Sequence, residues 1–406
     1  MSLTYKKMFD YGDLMSQKPD LIRLETMDYD LKTFKMPQIF RQVMLDVLDN
    51  HKLRYSDLGG MKALTDQILK YELALNPSLK LKSKPAIFVG NGVSEVLFSA
   101  IRAILQLPEN NGREEILLFV PGFSLFETSV KVAGGKVRFV KGLRRNNFIP
   151  AITQIRNKVT KQTCAIVFAN PNNPTTVGYK EKFLEELIKL AKARNLFLVS
   201  DEIYGDMVRK PRKHVQTITL NNGLKNLVKV FGPSKDRPGM TGLKIGYLIA
   251  DSRLNNSLTT EYLARNDTIN ILSEHIFLVD LALRTKRLTG VSCDILSNFS
   301  VGDIEEYYET VQSNYERIFD YQDRIMRILK SSNRVVDYIV PQGCNMIFVK
   351  YYKDLSHADF FNRMLKQGIG LYPGDVFHIN EDQGQWFRIC ITQSFEKIQH
   401  GMERFL

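Results

Sequence analysis

Seven short runs rich in apolar and β-branched residues follow one another between residues 86 and 250: AIFVG, EILLFV, KVRFV, CAIVFAN, LFLVSD, LVKVFG and KIGYLIA. A strand with one wet face alternates apolar and polar residues, whereas a run without that alternation has both faces covered. Amphipathic stretches such as EKFLEELIKLAKARN lie between several of these runs, with charge spread as on an exposed helix. Short covered strands separated by helices predict an α/β fold: a mostly parallel seven-stranded sheet with helices on both faces.

The flanks read differently. Residues 35–48 and 60–75 carry apolar positions at helical spacing, and the stretch EEYYETVQSNYERIFDYQDRIMRILK predicts a long charged helix near residue 305. A shorter α+β segment follows it. We therefore expect a large α/β domain over residues 48–304 and a smaller α+β domain built from both chain ends, residues 1–47 and 305–406. No internal repeat, low-complexity tract or flexible linker interrupts the chain.

Composition narrows the class. With 406 residues, 44% of them hydrophobic, the chain can bury a large core. The formal net charge of +12 comes from lysines and arginines scattered along the chain. That pattern suits anionic small ligands and argues against a nucleic-acid partner. The four cysteines are far apart, without the spacing of a zinc site or a disulfide framework, and the six histidines are equally dispersed. No metal site is expected, and the cysteine usage points to a reducing, cytoplasmic setting. The N-terminal residues lack an apolar signal core, and no run is long enough to cross a bilayer, so no membrane association is expected.

Ligands of parallel α/β sheets collect beyond the carboxyl ends of the strands. Five runs are followed there by chemically distinctive residues: NGVSE, PGFSLF, PNNPTT, DEIYGD and GPSKD. Each has a plain structural reading. GNGVSE serves as a strand–helix turn, and Glu95 stands where the dinucleotide fingerprint needs its third glycine. PNNPTT is made of ordinary turn residues, Ser200-Asp201 suits a helix N-cap, and an isolated lysine is usually solvated. Their shared place at one sheet edge favours a single ligand needing all of them.

These residues resemble the fold type I pyridoxal-phosphate enzymes, specifically the class I/II aminotransferases. Asn170-Pro171-Asn172-Asn173-Pro174-Thr175 is similar to that family's N-P-x-N-P-T-G turn, and Asp201-Glu202-Ile203-Tyr204 to its D-E-x-Y. Ser234-Lys235 is similar to its S-K, and Phe387-Arg388-Ile389 to its late arginine on a strand. The likeness runs from about residue 30 to the end of the chain. It implies pyridoxal 5′-phosphate as cofactor, with an L-amino acid and a 2-oxo acid as substrates. The amino group would move through a Lys235 Schiff base.

The resemblance also implies roles. Lys235 would be the nucleophile and then the acid–base group, since only a neutral amine attacks. Asp201 would pair with the protonated ring nitrogen. Asn173 and Tyr204 would donate to the ring's phenolic oxygen, and Phe123 would cover one ring face. Gly92, Val93 and Ser94 would present backbone N–H groups to the phosphate at a helix start. Arg388 would clamp the substrate α-carboxylate, with Asn173 beside it. Tyr55 would reach the phosphate of a neighbouring subunit, implying a homodimer with shared active sites.

The chain departs from the pattern at the phosphate. Position 232 is glycine where the family has serine, and Lys244 takes the place of the usual arginine after a connection one residue longer. Ser234 and Arg237 are the candidates to compensate. Related enzymes with the same apparatus act as β-lyases, cyclases or oxidases, and others are non-catalytic binding modules. A binding module would be expected to lose Lys235 or Asp201, and both are present. A metal hydrolase using Asp201, Glu202 and Asp206 is disfavoured because no histidine partner is evident nearby.

Overall fold

The computed structural model describes residues 3–406 apart from 82, 222, 266, 267 and 354. All seven runs are strands of one sheet: β1 (Ala86–Gly90), β2 (Glu115–Val120), β3 (Lys136–Lys141), β4 (Thr163–Ala169), β5 (Phe197–Asp201), β6 (Leu227–Phe231) and β7 (Gly246–Ala250). Their spatial order is β1-β7-β6-β5-β4-β2-β3. Every neighbouring pair is parallel except the two that involve β7, which runs against both β1 and β6. Strands β2, β4, β5, β6 and β7 are buried along their whole length. That burial is what the unalternating runs required. Strand β3 is the exception, exposed at both lysine ends, and it forms the sheet's edge, where charge discourages pairing with another chain.

Two helices set the site's frame. Helix α1 (Leu3–Ser16) was not foreseen; Lys7 pairs with Asp375 at 2.9 Å, and Met8 Sδ lies 3.9 Å from the Ser124 hydroxyl. Helix α2 (Val93–Leu105) follows β1 directly. Gly92 makes the sharp entry at φ 87°, a left-handed conformation that costs a glycine little. Glu95 in the first turn accepts from the Asn91 N–H, and Arg102 lies in the last turn, both favourable to the helix dipole.

A second sheet, antiparallel, joins β8 (Val335–Ile339), β9 (Met346–Tyr351), β10 (Tyr372–Pro373) and β11 (Trp386–Cys390) in the order β10-β11-β9-β8. The long helix α3 (Val301–Ser331) bridges the two sheets' cores. It starts at a reciprocal cap, the Ser300 hydroxyl accepting from the Asp303 N–H while Asp303 accepts from the Ser300 N–H. Ile304, Tyr307 and Val311 join the core of the seven-stranded sheet, whereas Ile318, Ile325 and Leu329 join that of the second sheet. The helix Gln38–Asp49 buries Ile39, Phe40, Val43 and Val47 in the larger core.

Candidate functional site

A cavity of about 370 Å³ opens where the strand ends of the larger sheet meet the second sheet. Lys235, Asp201, Tyr204, Asn173, Phe123, Gly92, Val93, Ser94, Ser234, Lys244 and Arg388 all line it. Strand direction explains the gathering. The carboxyl ends of β1, β2, β4, β5 and β6 deliver Gly92, Phe123, Asn173, Asp201 and Lys235, and reversed β7 brings Lys244, which precedes it, to the same edge.

Asp201 ends β5 and is almost completely buried. One oxygen accepts from the Ile203 N–H at 3.1 Å. Burial lifts its pKa to about 7; the Ile203 bond opposes this, the charge of Glu202 adds to it, and the charge of Lys235 opposes it. This carboxylate therefore lacks the cation that would keep it ionised. Glu202 behaves oppositely. Burial would raise it, yet His214 at 2.8 Å and Lys229 outweigh that and hold it at about 2. The Ser200 hydroxyl and the Thr217 N–H complete its shell. A histidine thus does sit beside this acidic motif, contrary to the reading of the sequence, but it is spent on Glu202. Among the described residues no cluster suited to a metal occurs.

Lys235 ends a short 3₁₀ turn after β6, and the Tyr29 hydroxyl donates to its carbonyl at 2.6 Å. Burial lowers the amine to about 8, and the positive charge of Arg388 adds to this. A neutral amine is thereby accessible near neutral pH. Arg388, on β11, donates to Asn173 Oδ1 at 3.0 Å and to the Glu25 carbonyl at 3.1 Å, with its guanidinium 5.0 Å from the centre of the Phe377 ring. Its Nε is buried without a partner among the described residues. Because Asn173 gives its oxygen to Arg388, its amide nitrogen remains as a donor. Among the described residues the Tyr204 hydroxyl makes only a long contact to Met27 Sδ, at 3.8 Å.

At the helix start, a Cβ placed on Gly92 would lie 3.7 Å from Lys244 Nζ, so this ammonium stands beside the N–H groups of the first turn. Lys244 itself adopts φ 49°. Crowding accounts for the glycine at 232. A Cβ there would lie 2.9 Å from both the Ile245 carbonyl oxygen and Val93 Cγ2. Arg237 is corrected as a candidate. It does not line the cavity but is buried against Asp236, Asp280, Tyr307 and Tyr315. Tyr55 lies outside its own chain's cavity and is 93% exposed. The sequence reading missed Met8, Arg23, Glu25, Thr241 and Tyr372. Only the threonine two residues beyond Gly239 stood near a motif.

Comparison with known proteins agrees with this geometry. The family model for aminotransferase class I and II matches residues 19–405. An aspartate aminotransferase of Thermotoga maritima is 25% identical over 397 residues, 96% of this chain and 92% of its own length. A glutamate-pyruvate aminotransferase of Haemophilus influenzae is 31% identical over 202 residues, 47% of this chain and 48% of its own. The structure of the Thermus thermophilus aspartate aminotransferase with maleate superposes with a TM-score of 0.83 at 22% identity, covering 100% of this chain and 96% of that one.

Proposed function

The chain belongs to the class I and II aminotransferases, pyridoxal-5′-phosphate-dependent transaminases, and we propose that Lys235, Asp201 and Arg388 carry its reaction. The observation that carries the reading is that an amine lowered to about 8 and a carboxylate raised to about 7 line one cavity. The residues suit the cofactor. Asp201 wants a cation, the Gly92 turn and Lys244 offer an anion site, and Arg388 keeps one buried nitrogen unpaired.

When bound, pyridoxal 5′-phosphate supplies an aldehyde to take up an amino group and a cationic ring that draws electrons from the substrate Cα. Lys235 would take the proton from the substrate Cα as general base and hold it on its amine, ready to act as general acid. Asp201 would pair by its charge with the ring nitrogen. Asn173 Nδ2 and the Tyr204 hydroxyl would donate to the phenolic oxygen, and Phe123 would cover the ring. Gly92, Val93 and Ser94 would offer N–H groups to the phosphate, with Lys244 as a point charge and Ser234 as a further donor. Arg388 orients the α-carboxylate of the L-amino acid or 2-oxo acid.

The second subunit belongs to this reading. Tyr55 is exposed together with Leu48, Leu53 and Leu58, an apolar surface that suits a homodimer in which Tyr55 reaches the partner's phosphate. A cytoplasmic setting accords with four free cysteines. The domain division is drawn at about residues 48 and 304, except that the helix Gln38–Asp49 counts with the larger unit, whose core it joins. Among the described residues no helix is long and apolar enough to cross a membrane. In a two-substrate assay Lys235→Ala should lose at least about 100-fold in kcat. Arg388→Leu should mainly raise KM for both substrates. A Lys235→Ala enzyme with normal kcat would overturn the assignment.

A further inference from the structure

The main chain of the nucleophile is held by a residue from the opposite side of the cavity. The Lys235 carbonyl accepts from the Tyr29 hydroxyl at 2.6 Å, and among the described residues no other donor reaches it. That hydroxyl accepts in turn from Asn345 Nδ2 at 3.0 Å, which leaves its single proton for Lys235. Tyr29 is buried, and burial first of all pushes its hydroxyl well above the ordinary range, so it stays a neutral donor. Tyr29 and Asn345 both belong with the second sheet. The Tyr29 ring lies in that sheet's core, edge-on to Phe34 at 5.1 Å between centroids. Main-chain bonds tie its segment there: Leu24 N–H to the Gly370 carbonyl, Cys390 N–H to the Leu24 carbonyl and Asp30 N–H to the Thr392 carbonyl. The Asn345 carbonyl accepts from the Ile391 N–H, just beyond β11. Lys235, by contrast, follows β6 of the larger sheet.

We propose that Tyr29 is a positioning residue for the transamination, fixing the Lys235 amine relative to the carboxylate held by Arg388. This rests on the transaminase reading of the same site. The substrate Cα is bonded to its carboxylate, so Arg388 sets where that atom lies, and the Lys235 amine must come within hydrogen-bond reach of its proton. Clamp and nucleophile stand on different sheets. The bond from Arg388 to Asn173 spans the gap at the clamp, and the Tyr29 hydroxyl spans it at the nucleophile. Arg388 also donates to the Glu25 carbonyl at 3.1 Å, so one segment of five residues is bonded to both groups. On its other side Asp236 is pinned by Arg237 and Arg284, and the peptide from 235 to 236 is therefore held from both sheets. Without the hydroxyl the carbonyl is buried and unpaired, and the turn is free to shift. A displacement of about 1 Å costs up to about 100-fold in rate.

Tyr29→Phe tests this, because it removes the hydroxyl and keeps the ring against Phe34. In the cofactor-loaded variant kcat should fall about 10-fold while KM for both substrates stays within about twofold, Arg388 being untouched. An amino donor deuterated at Cα should show a larger isotope effect on kcat than in the parent, since proton transfer has become the slower step. In the cofactor-free variant the Asp236 and Arg237 amides, which donate to the Pro233 carbonyl, should exchange with deuterium about 10-fold faster, with those of β5 unchanged. Normal kcat with an unchanged isotope effect would overturn the proposal even if exchange quickens, because the bond would then serve the fold alone. Unchanged exchange in this turn would overturn it too, and so would a raised KM at normal kcat, which would assign Tyr29 to the clamp. Lys235→Ala separates the two levels. If that variant keeps normal kcat, the transaminase assignment falls and Tyr29 with it; if it is inactive while Tyr29→Phe turns over normally, Tyr29 alone falls.

Discussion

Asp201→Asn should make the cofactor-free protein more stable in mild alkali, and the gain should disappear in acid. The native carboxyl titrates at about 7, raised by burial first, against 3.8 for the ordinary group. Between those values the native state holds a proton that the unfolded chain has released, so stability falls as pH rises from about 4 to about 7. A rise from 3.8 to about 7, at about 1.36 kcal/mol per unit, comes to about 4 kcal/mol. Asparagine has no charge to bury and keeps an acceptor for the Ile203 N–H. The stability difference between variant and parent should therefore grow by up to about 4 kcal/mol between about pH 4 and about pH 8. Urea unfolding of both cofactor-free proteins across that range measures it. With saturating pyridoxal 5′-phosphate the order should reverse, because the parent then gains the cation its carboxylate lacks. Parallel stability curves, a constant difference at every pH, would refute the claim that this site stores a buried, uncompensated charge.

Reductive labelling by a small aldehyde, read by peptide mass, should reach Lys235 with a midpoint near the about 8 set by burial and then by Arg388, whereas surface lysines go on rising. In Arg388→Leu that midpoint should move up, and an unmoved midpoint excludes Arg388 as a cause. Lys244→Ala should weaken pyridoxal 5′-phosphate about 10-fold or more in equilibrium dialysis while leaving unphosphorylated pyridoxal unaffected; equal losses for both would remove Lys244 from the phosphate. Gly232→Ser, which writes the family's residue back into this chain, should cost about 1–3 kcal/mol in thermal unfolding, because its Cβ meets Val93 and the Ile245 carbonyl. An equally stable variant would show that packing does not dictate the glycine.

The sheet and most of the site were legible because their signal is local. Burial on both faces writes itself into each run as missing alternation, and the residue after a run inherits its place at the sheet edge. That reasoning located Asp201, Asn173 and Lys235 without knowledge of any distant contact. It failed where the deciding contact is remote in sequence. Arg237, two residues from Lys235, goes to Asp280 and Tyr307, more than forty positions away, and nothing in its neighbours says so. Gly232 is explained only by Val93 and Ile245 packing against it. His214 finds Glu202 across a loop. Helix α1 and the segment carrying Arg23 and Glu25 have no motif, so their place on the cavity wall became visible only in three dimensions.

Strand β7 runs opposite to its neighbours, pairing Tyr247 with Phe231 across the ladder. The nucleophile follows β6 and the phosphate-side cation precedes β7 at the same end of that ladder, so their separation is set by strand register. The number of residues in between is thereby released from control, and the chain tolerates one more of them without moving either end. Its length can change, provided the two anchoring strands keep their alignment and Asp236 and Arg237 keep their buried ion pairs.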